Sequence, residues 1–566
     1  MVKGNTSSKG LKGQALLQMG LLTGILLLLN VISSFWFTRI DLTGDKRFNL
    51  SEASKKLVAN LKDVVFIRVY LEGDFSPGFD RLRTSARELL DELRQYSNGN
   101  IEYEFIDPSA NPDEKERNRL FAQLYQKGIQ PTTLEERTRE GVNRTYVFPG
   151  AVVSYANTEM TVQLLQSQLG VPPQQMLNNS IQNLEYEFCN AITKATNPAR
   201  PVIAFLEGHG ELDTAETADF ASTLKNSYSL KRVTINGQLD ALKGYKALVI
   251  AKPDTAFNEK DKFVIDQYIM SGGKAIFLID QMDAVMDSLQ RRGEMMALGR
   301  DLKLDDMLFR YGARVNYDLV QDMLSALIPV VTGTVGNQPR QQLMPWYYFP
   351  VMTPRSTHPV VNNLNTVKGQ FVSSVDAIQA PGIRSTVLLT TSAYSRIVPA
   401  PVRVSLGIMQ YKPDPSMFPQ REVPVMLLME GEFTSLYKNR VPPAISESRE
   451  IGFKASCENG KVIVAGDGDL IRNDFAKGRP VPLGYDRYTN STFGNKDLLL
   501  RAIDYLCDES GMMALRNKDF RLRLIDPAVL ESDTRPLRIL NVSLPLAAVL
   551  ITGVIRFYLR RRKYSH

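Results

Sequence analysis

The chain has 566 residues, 68 Lys and Arg against 61 Asp and Glu, a formal charge of +7 and 43% hydrophobic residues. At about 150 residues per domain this is roughly three to four folding units, and so much apolar content excludes a mainly disordered chain. A pI near 9.0 invites a nucleic-acid-binding reading, which the placement of the charges excludes.

No acidic residue precedes Asp41, while Lys3, Lys9 and Lys12 do. None follows Asp533, while Arg556, Arg560, Arg561, Arg562 and Lys563 do. Setting these eight cations aside leaves 60 basic against 61 acidic residues, so the body of the chain is electrically balanced. The tails flank two apolar runs. Residues 15–37 carry no charge and match a bilayer core in length. No small-x-small cleavage site precedes Phe35, Trp36 and Phe37, which favours an uncleaved anchor over a signal peptide. Residues 539–559 form the second run, with Arg556 close enough to its end to snorkel and the RRRK tail directly after it. Lys3, Lys9, Lys12, Arg560, Arg561, Arg562 and Lys563 are thus the expected membrane-orienting residues. They predict two spans, with tails 1–14 and 560–566 in the cytoplasm and roughly 500 residues outside.

The region 39–165 alternates strand and helix patterns. Val64 to Leu71 is β-rich, Phe79 to Tyr96 has helical apolar spacing, and Ile101 to Asp107 is a strand stopped by Pro108. Asp113 to Lys127 has acidic residues at its start and Gly128 at its end, as a helix asks. The strands TYVFPGAVVSY and TEMTVQLL follow. The order β-α-β-α-β-β predicts a thioredoxin-like layer. Redox chemistry there needs a thiolate pair after the first strand, and the loop Glu72 to Phe79 has no cysteine. Cys189, Cys457 and Cys507 are too few and dispersed for a disulfide framework or a cysteine metal site.

Residues 166–200 read as a connector with a helix around Asn183 to Thr196. Residues 201–510 read as a second α/β domain with an irregular insertion at 281–450, and 511–538 as a polar linker. Apolar strands beginning at Pro201, Tyr245, Lys274 and Lys461 alternate with helices, predicting a parallel, doubly wound sheet covered on both faces. The insertion holds the aromatic run LMPWYYFPVMTPRSTHPV, which fits either a contact surface or buried packing.

In such sheets ligands bind beyond the carboxyl ends of the strands. That rule selects Glu207, His209, Glu211, Asp254, Asp280, Asp467 and Asp469 as candidate ligand-binding residues. Carboxylates with an imidazole suit metal binding or acid/base chemistry. Strand ends are also where polar residues surface and where Gly and Asp make turns. With one histidine in the set and no G-x-S-x-G elbow, the expectation is no catalytic residue, no metal and no cofactor. GGK at Gly272 to Lys274 precedes a strand, so it is not a phosphate loop.

The opening segment Asp41 to Arg83, the IEYEFIDP strand, the FLEGHGE element, GGKAIFLID and the two terminal spans together resemble the GldG-like auxiliary components of gliding-motility ABC transporters of Bacteroidota. The resemblance spans essentially the full chain and rests on order and topology. It implies a glutamine-amidotransferase-like second domain lacking the Cys nucleophile, and a bacterial inner-membrane protein with a periplasmic ectodomain. It also implies an ABC permease and a cytoplasmic ATPase as partners, besides membrane lipid and other gliding or secretion machinery. The expected function is a non-enzymatic transporter subunit for gliding motility. The alternatives are a periplasmic hydrolase or metal-dependent enzyme using the His209 cluster, or a solute receptor.

Overall fold

The computed structural model describes residues 50–138, 141–197, 199–335, 338–354, 356–410, 413–449, 451–517 and 535–564, together with 17, 19–25 and 28. The chain divides into two compact units, residues 1–41 with 48–518, and residues 42–47 with 519–566. It is a mixed α/β protein.

The larger unit opens with α1 (Glu52–Ala59), whose N-cap Ser51 accepts a hydrogen bond from the Ser54 amide. There follow β1 (Val65–Val69), α2 (Pro77–Tyr96), β2 (Ile101–Phe105) and α3 (Glu114–Gln126). A hairpin of β3 (Thr132–Thr138) and β4 (Gly141–Val147) precedes β5 (Gly150–Tyr155) and β6 (Thr158–Gln163). The first sheet has the order β2-β1-β5-β6, with β1 parallel to β2 and antiparallel to β5, and β6 antiparallel to β5. In α2, Phe79, Leu82, Ala86, Leu90 and Leu93 recur every three or four residues and are buried against this sheet. Each buried leucine of that stripe contributes about 2 kcal/mol.

Three expectations for this region change. TYVFPGAVVSY is two strands: β4 pairs with β3 outside the sheet, Pro149 has no N–H to continue a ladder, and β5 begins at Gly150. Residues 166–200 do more than connect. α4 (Pro173–Thr196) buries Leu184, Tyr186, Phe188, Cys189 and Ile192 in the core of the first sheet. The stretch 511–538 is not all polar linker, because a 3₁₀ helix, Met512–Asn517, returns Met512, Met513 and Leu515 to that core. Of the rest of the expected linker, 518–534 lies outside the described residues and 535–538 already belongs to the C-terminal helix.

The second lobe of the same unit carries β7 (Val202–Glu207), α5 (Ala218–Leu224), β8 (Ser229–Thr234), β9 (Ala247–Ala251), α6 (Glu259–Met270) and β10 (Lys274–Leu278). Within the insertion lie β11 (Asp318–Asp322), the long hairpin β12 (Ser325–Val335) and β13 (Gln338–Met352), and β14 (Ile383–Thr390). β15 (Pro424–Thr434), β16 (Ser456–Ala465) and α7 (Asn495–Cys507) complete the lobe. Its seven-stranded sheet has the order β14-β15-β16-β10-β9-β7-β8. The five strands from β16 to β8 are parallel, as expected, while β15 and β14 add antiparallel at one edge.

Alternate residues of the parallel strands feed two cores. Phe205, Val249, Ile276 and Ile463 pack into one, and Ala204, Leu248, Phe277 and Val464 into the other. Burial on both faces is why these strands read as continuous apolar runs. The insertion is not irregular. It supplies β14 and β15 to the main sheet and has a core of its own around Trp346, Tyr348, Phe349 and Phe371. Trp346 is fully buried there, which decides for packing over an exposed contact surface.

The smaller unit is described through α8 (Arg535–Tyr564), which at 1.5 Å per residue is roughly 45 Å long. Val542–Leu559 is long and apolar enough to cross a membrane, and none of it is buried inside the protein. Arg561 and Arg562 are exposed at its end. Of the first expected span, residues 17, 19–25 and 28 are described and helical. The rest of 15–37, with Lys3, Lys9 and Lys12, lies outside the described residues.

Candidate functional site

From β7 the chain crosses to β8 on one side and then to β9 on the other, so the loops leaving β7 and β9 diverge. In open parallel sheets a crevice forms at such a switch point, beyond the carboxyl ends of the strands. The residues after β7, β9, β10 and β16 line this edge. They separate into three groups where the strand-end rule treats them as one set.

The first group is Asp280, Asp467 and Asp469, all buried, with carboxylate oxygens that lie within 4.8 Å of one another. Gly466 and Gly468 let this turn form. A Cβ at Gly466 would overlap the Ser373 carbonyl oxygen, and one at Gly468 would lie 2.6 Å from Lys252 Cβ. The Gly468 amide donates to Asp280 Oδ1 at 2.5 Å. Asp467 accepts from the Asp469 amide at 2.8 Å and from the Gln370 amide at 2.9 Å. Three carboxylates so close suit a divalent cation, yet a cation of the chain already stands among them. Lys252 Nζ lies 3.0 Å from Asp280 Oδ2 and 2.6 Å from Asp469 Oδ2. Lys252 reaches that position from a left-handed backbone, φ +54°. Arg472 adds a second charge, 3.5 Å from Asp469 and 3.2 Å from Glu216.

The protonation of this group follows from its burial. Burial raises the pKa of Asp280, Lys252 opposes the rise and Asp469 adds to it. Burial with the charges of Asp280 and Asp469 drives Asp467 well above the carboxylate range. Burial alone would lower Lys252, but Asp469 and Asp280 outweigh it and raise the amine above its ordinary value. An amine held this firmly protonated is neither a base nor a nucleophile at neutral pH.

The second group is His209, Glu211 and Asp261. His209 Nε2 lies 3.1 Å from Asp261 Oδ2 and Nδ1 lies 3.4 Å from Glu211 Oε1. Its ring stacks on Phe257 with centroids 3.8 Å apart. Asp261 is set in the first turn of α6, where the N-cap Asn258 accepts from its amide at 2.9 Å and donates to Oδ2 at 2.8 Å. Burial would lower the His209 pKa, but Glu211 and Asp261 outweigh it and raise the value. The third group is Glu207, bound at 2.9 Å by Arg232, which also donates to the Leu212 carbonyl at 3.1 Å. Asp254 is exposed; its amide donates to the His209 carbonyl at 2.9 Å, and its side chain accepts from Thr255 Oγ1 at 2.8 Å.

The strand-end rule therefore found the acids but missed Lys252, Asp261 and Arg472. Lys252 was visible, since it directly follows β9. Asp261 carried no signal, because an acid in a first helical turn is ordinary capping.

Residues 200–502 match the ABC transport auxiliary family, described as an ABC-type uncharacterized transport system. The chain belongs to this family. All the residues of the three groups in this auxiliary protein lie inside the matched stretch, and residues 44–154 match a domain of unknown function (DUF7088). An uncharacterized protein of Borreliella burgdorferi is 19% identical over 539 residues, which cover 94% of this chain and 95% of that protein. Among solved structures, the mmIFT52 N-terminal domain matches 54% of the auxiliary protein and 96% of itself at 14% identity, with a TM-score of 0.31.

Proposed function

We propose that the protein is a non-catalytic subunit that couples an ABC permease and its cytoplasmic ATPase to partners outside the membrane. Family membership supports the auxiliary role. The observation that carries the non-catalytic reading is that the charged strand-end groups are spent on one another: Lys252 on Asp280 and Asp469, His209 on Glu211 and Asp261, Arg232 on Glu207. Ion pairing of this kind holds the side chains in the fold, which supports a structural role for them, and the buried atoms His209 Nδ1, Glu211 Oε1 and Asp469 Oδ1 make no hydrogen bond.

The finer assignments belong to the same reading. The strand order β2-β1-β5-β6 supports a thioredoxin-like first domain, and a parallel sheet wound on both sides supports a glutamine-amidotransferase-like second one. The exposed apolar face of α8 and the basic residues at its end support an inner-membrane location with that terminus cytoplasmic. A second span at 15–37 would place both termini in the cytoplasm and the intervening lobes in the periplasm. Gliding motility would be the cellular process served.

Affinity purification of the tagged full-length chain in mild detergent, followed by mass spectrometry, tests the reading. A permease and an ATPase are expected in near-stoichiometric amounts. Recovery of the chain alone across several mild detergents would remove the proposal, and loss of surface movement on deletion in a gliding host would support the narrower assignment.

A further inference from the structure

Residues 208–212 leave β7 at the switch point and are hydrogen-bonded to the end of β9 and the loop that follows it. The His209 carbonyl accepts from the Asp254 amide at 2.9 Å and the Thr255 amide at 3.0 Å, and the Leu212 amide donates to the Ala251 carbonyl at 3.0 Å. Glycines flank the histidine, with φ +118° at Gly208 and +73° at Gly210, a conformation that side-chain-bearing residues rarely adopt. They bracket the residue whose carbonyl binds the loop after β9 and whose ring stacks on Phe257. The segment is short and hinged by glycine at both ends of His209, and it covers the place where this topology binds ligands.

The fastening is two-sided at the imidazole. A neutral ring has one N–H and one lone pair, so it donates to only one of two carboxylates. In this site each nitrogen faces a carboxylate oxygen, Nε2 toward Asp261 and Nδ1 toward Glu211. Only the doubly protonated ring presents a positive N–H to both, hydrogen-bonded to Asp261 through Nε2 and ion-paired at 3.4 Å, without a hydrogen bond, to Glu211 through Nδ1. Asp261 is itself fixed by Asn258 Nδ2 and, at 2.8 Å, by the Gly237 amide, so the ring ties the segment to α6 and to the β8–β9 connection. Glu211 Oε2 accepts from the His209 amide at 2.7 Å, which draws the segment closed on itself.

We propose that residues 208–212 are a lid across the carboxyl ends of β7 and β9, latched by His209 between Glu211 and Asp261 and released when the imidazole loses its proton. Arg232 donates to the Leu212 carbonyl at 3.1 Å and fixes that end of the segment at any pH, so the latch governs the His209 end. Asp254 lies against Gly210, Lys260 packs beside Gly237, Glu207 is held by Arg232, and Lys252 is held by Asp280 and Asp469. The direction follows from the geometry: a histidine whose pKa is raised on folding stabilises the closed form below its unfolded value near 6.5, and that contribution is lost as pH rises through the folded value.

Hydrogen exchange with mass spectrometry on the full-length protein in detergent, from pH 6 to 9.5 and corrected for intrinsic exchange, reads the lid directly. Peptides covering 205–215 and 250–258 should be protected at pH 6, lose protection by up to about tenfold per pH unit between about pH 6.5 and the titration of the latched ring, and level off above it, while a peptide from β16 stays unchanged. His209→Gln should remove both the protection and its pH dependence. If that variant does not fold, Glu211→Gln should move the loss of protection to lower pH, because one stabilising carboxylate is gone. Protection independent of pH in the native protein would overturn the proposal. So would a native profile in His209→Gln, or a change shared equally by β16.

Discussion

Replacing Lys252 by Met should lower the stability of the protein by about 3–5 kcal/mol at pH 7.5, the usual result of removing one partner from a buried ion pair. The substitution keeps an unbranched side chain out to Cε and removes the ammonium, so the loss is chiefly electrostatic. Asp280, Asp467 and Asp469 would then share one buried site without the ammonium that lies between two of them. The pH dependence gives the cause. Asp280 and Asp467 have pKa values raised on folding, so their protonated forms favour the folded state, and that contribution fades as pH rises from about 3.9 through the folded values. Without Lys252 those values rise further, so the deficit relative to the native protein should be largest near neutrality and should shrink toward pH 5. Urea unfolding midpoints of the two proteins at pH 7.5 and pH 5 make the comparison. Equal midpoints at both pH values would mean that Lys252 is not the counter-charge of the cluster.

Gly466→Ala should cost about 3 kcal/mol, at the upper end of what overpacking a core produces. The residue is clamped on both sides: its amide donates to the Val425 carbonyl at 2.9 Å, and its carbonyl accepts from the Ser373 amide at 2.7 Å. An added Cβ would overlap the Ser373 carbonyl oxygen, and backbone held by a hydrogen bond at that point has no side-chain rotamer through which to yield. The turn carrying Asp467 and Asp469 would shift with it, so the variant should also weaken the Lys252 contact. Limited proteolysis and the urea midpoint of the full-length chain measure the effect. A midpoint equal to that of the native protein would show that the turn is looser than its packing implies.

Local structure was largely legible along the chain. The stripe Leu82, Leu90 and Leu93 identified α2, the acids after Asp113 identified α3, and the β-rich run at Val64 identified β1. In the second lobe the continuous apolar strands announced a sheet buried on both faces. The failures lie where a local pattern has two tertiary outcomes. A helix such as α4 reads as a connector until its apolar face is seen to meet a sheet formed by residues 65–163. Aromatic runs such as that around Trp346 look alike whether they face solvent or a core.

The candidate site shows the same division. The types of residue at the strand ends, and the neutrality of the body of the chain, follow from the sequence because each is a property of positions taken singly. Which of those residues meet is decided by the strand order. Asp280 receives the amide of Gly468, 188 positions away, because β10 and β16 are neighbours in the sheet, and His209 finds Asp261 because β7 and β9, after which the two residues come, are neighbours too. Periodicity and capping act over a few residues, so the sequence by itself fixes elements and their exposed faces. Charge pairing acts over a few ångströms, and only the assembled sheet brings these residues that close.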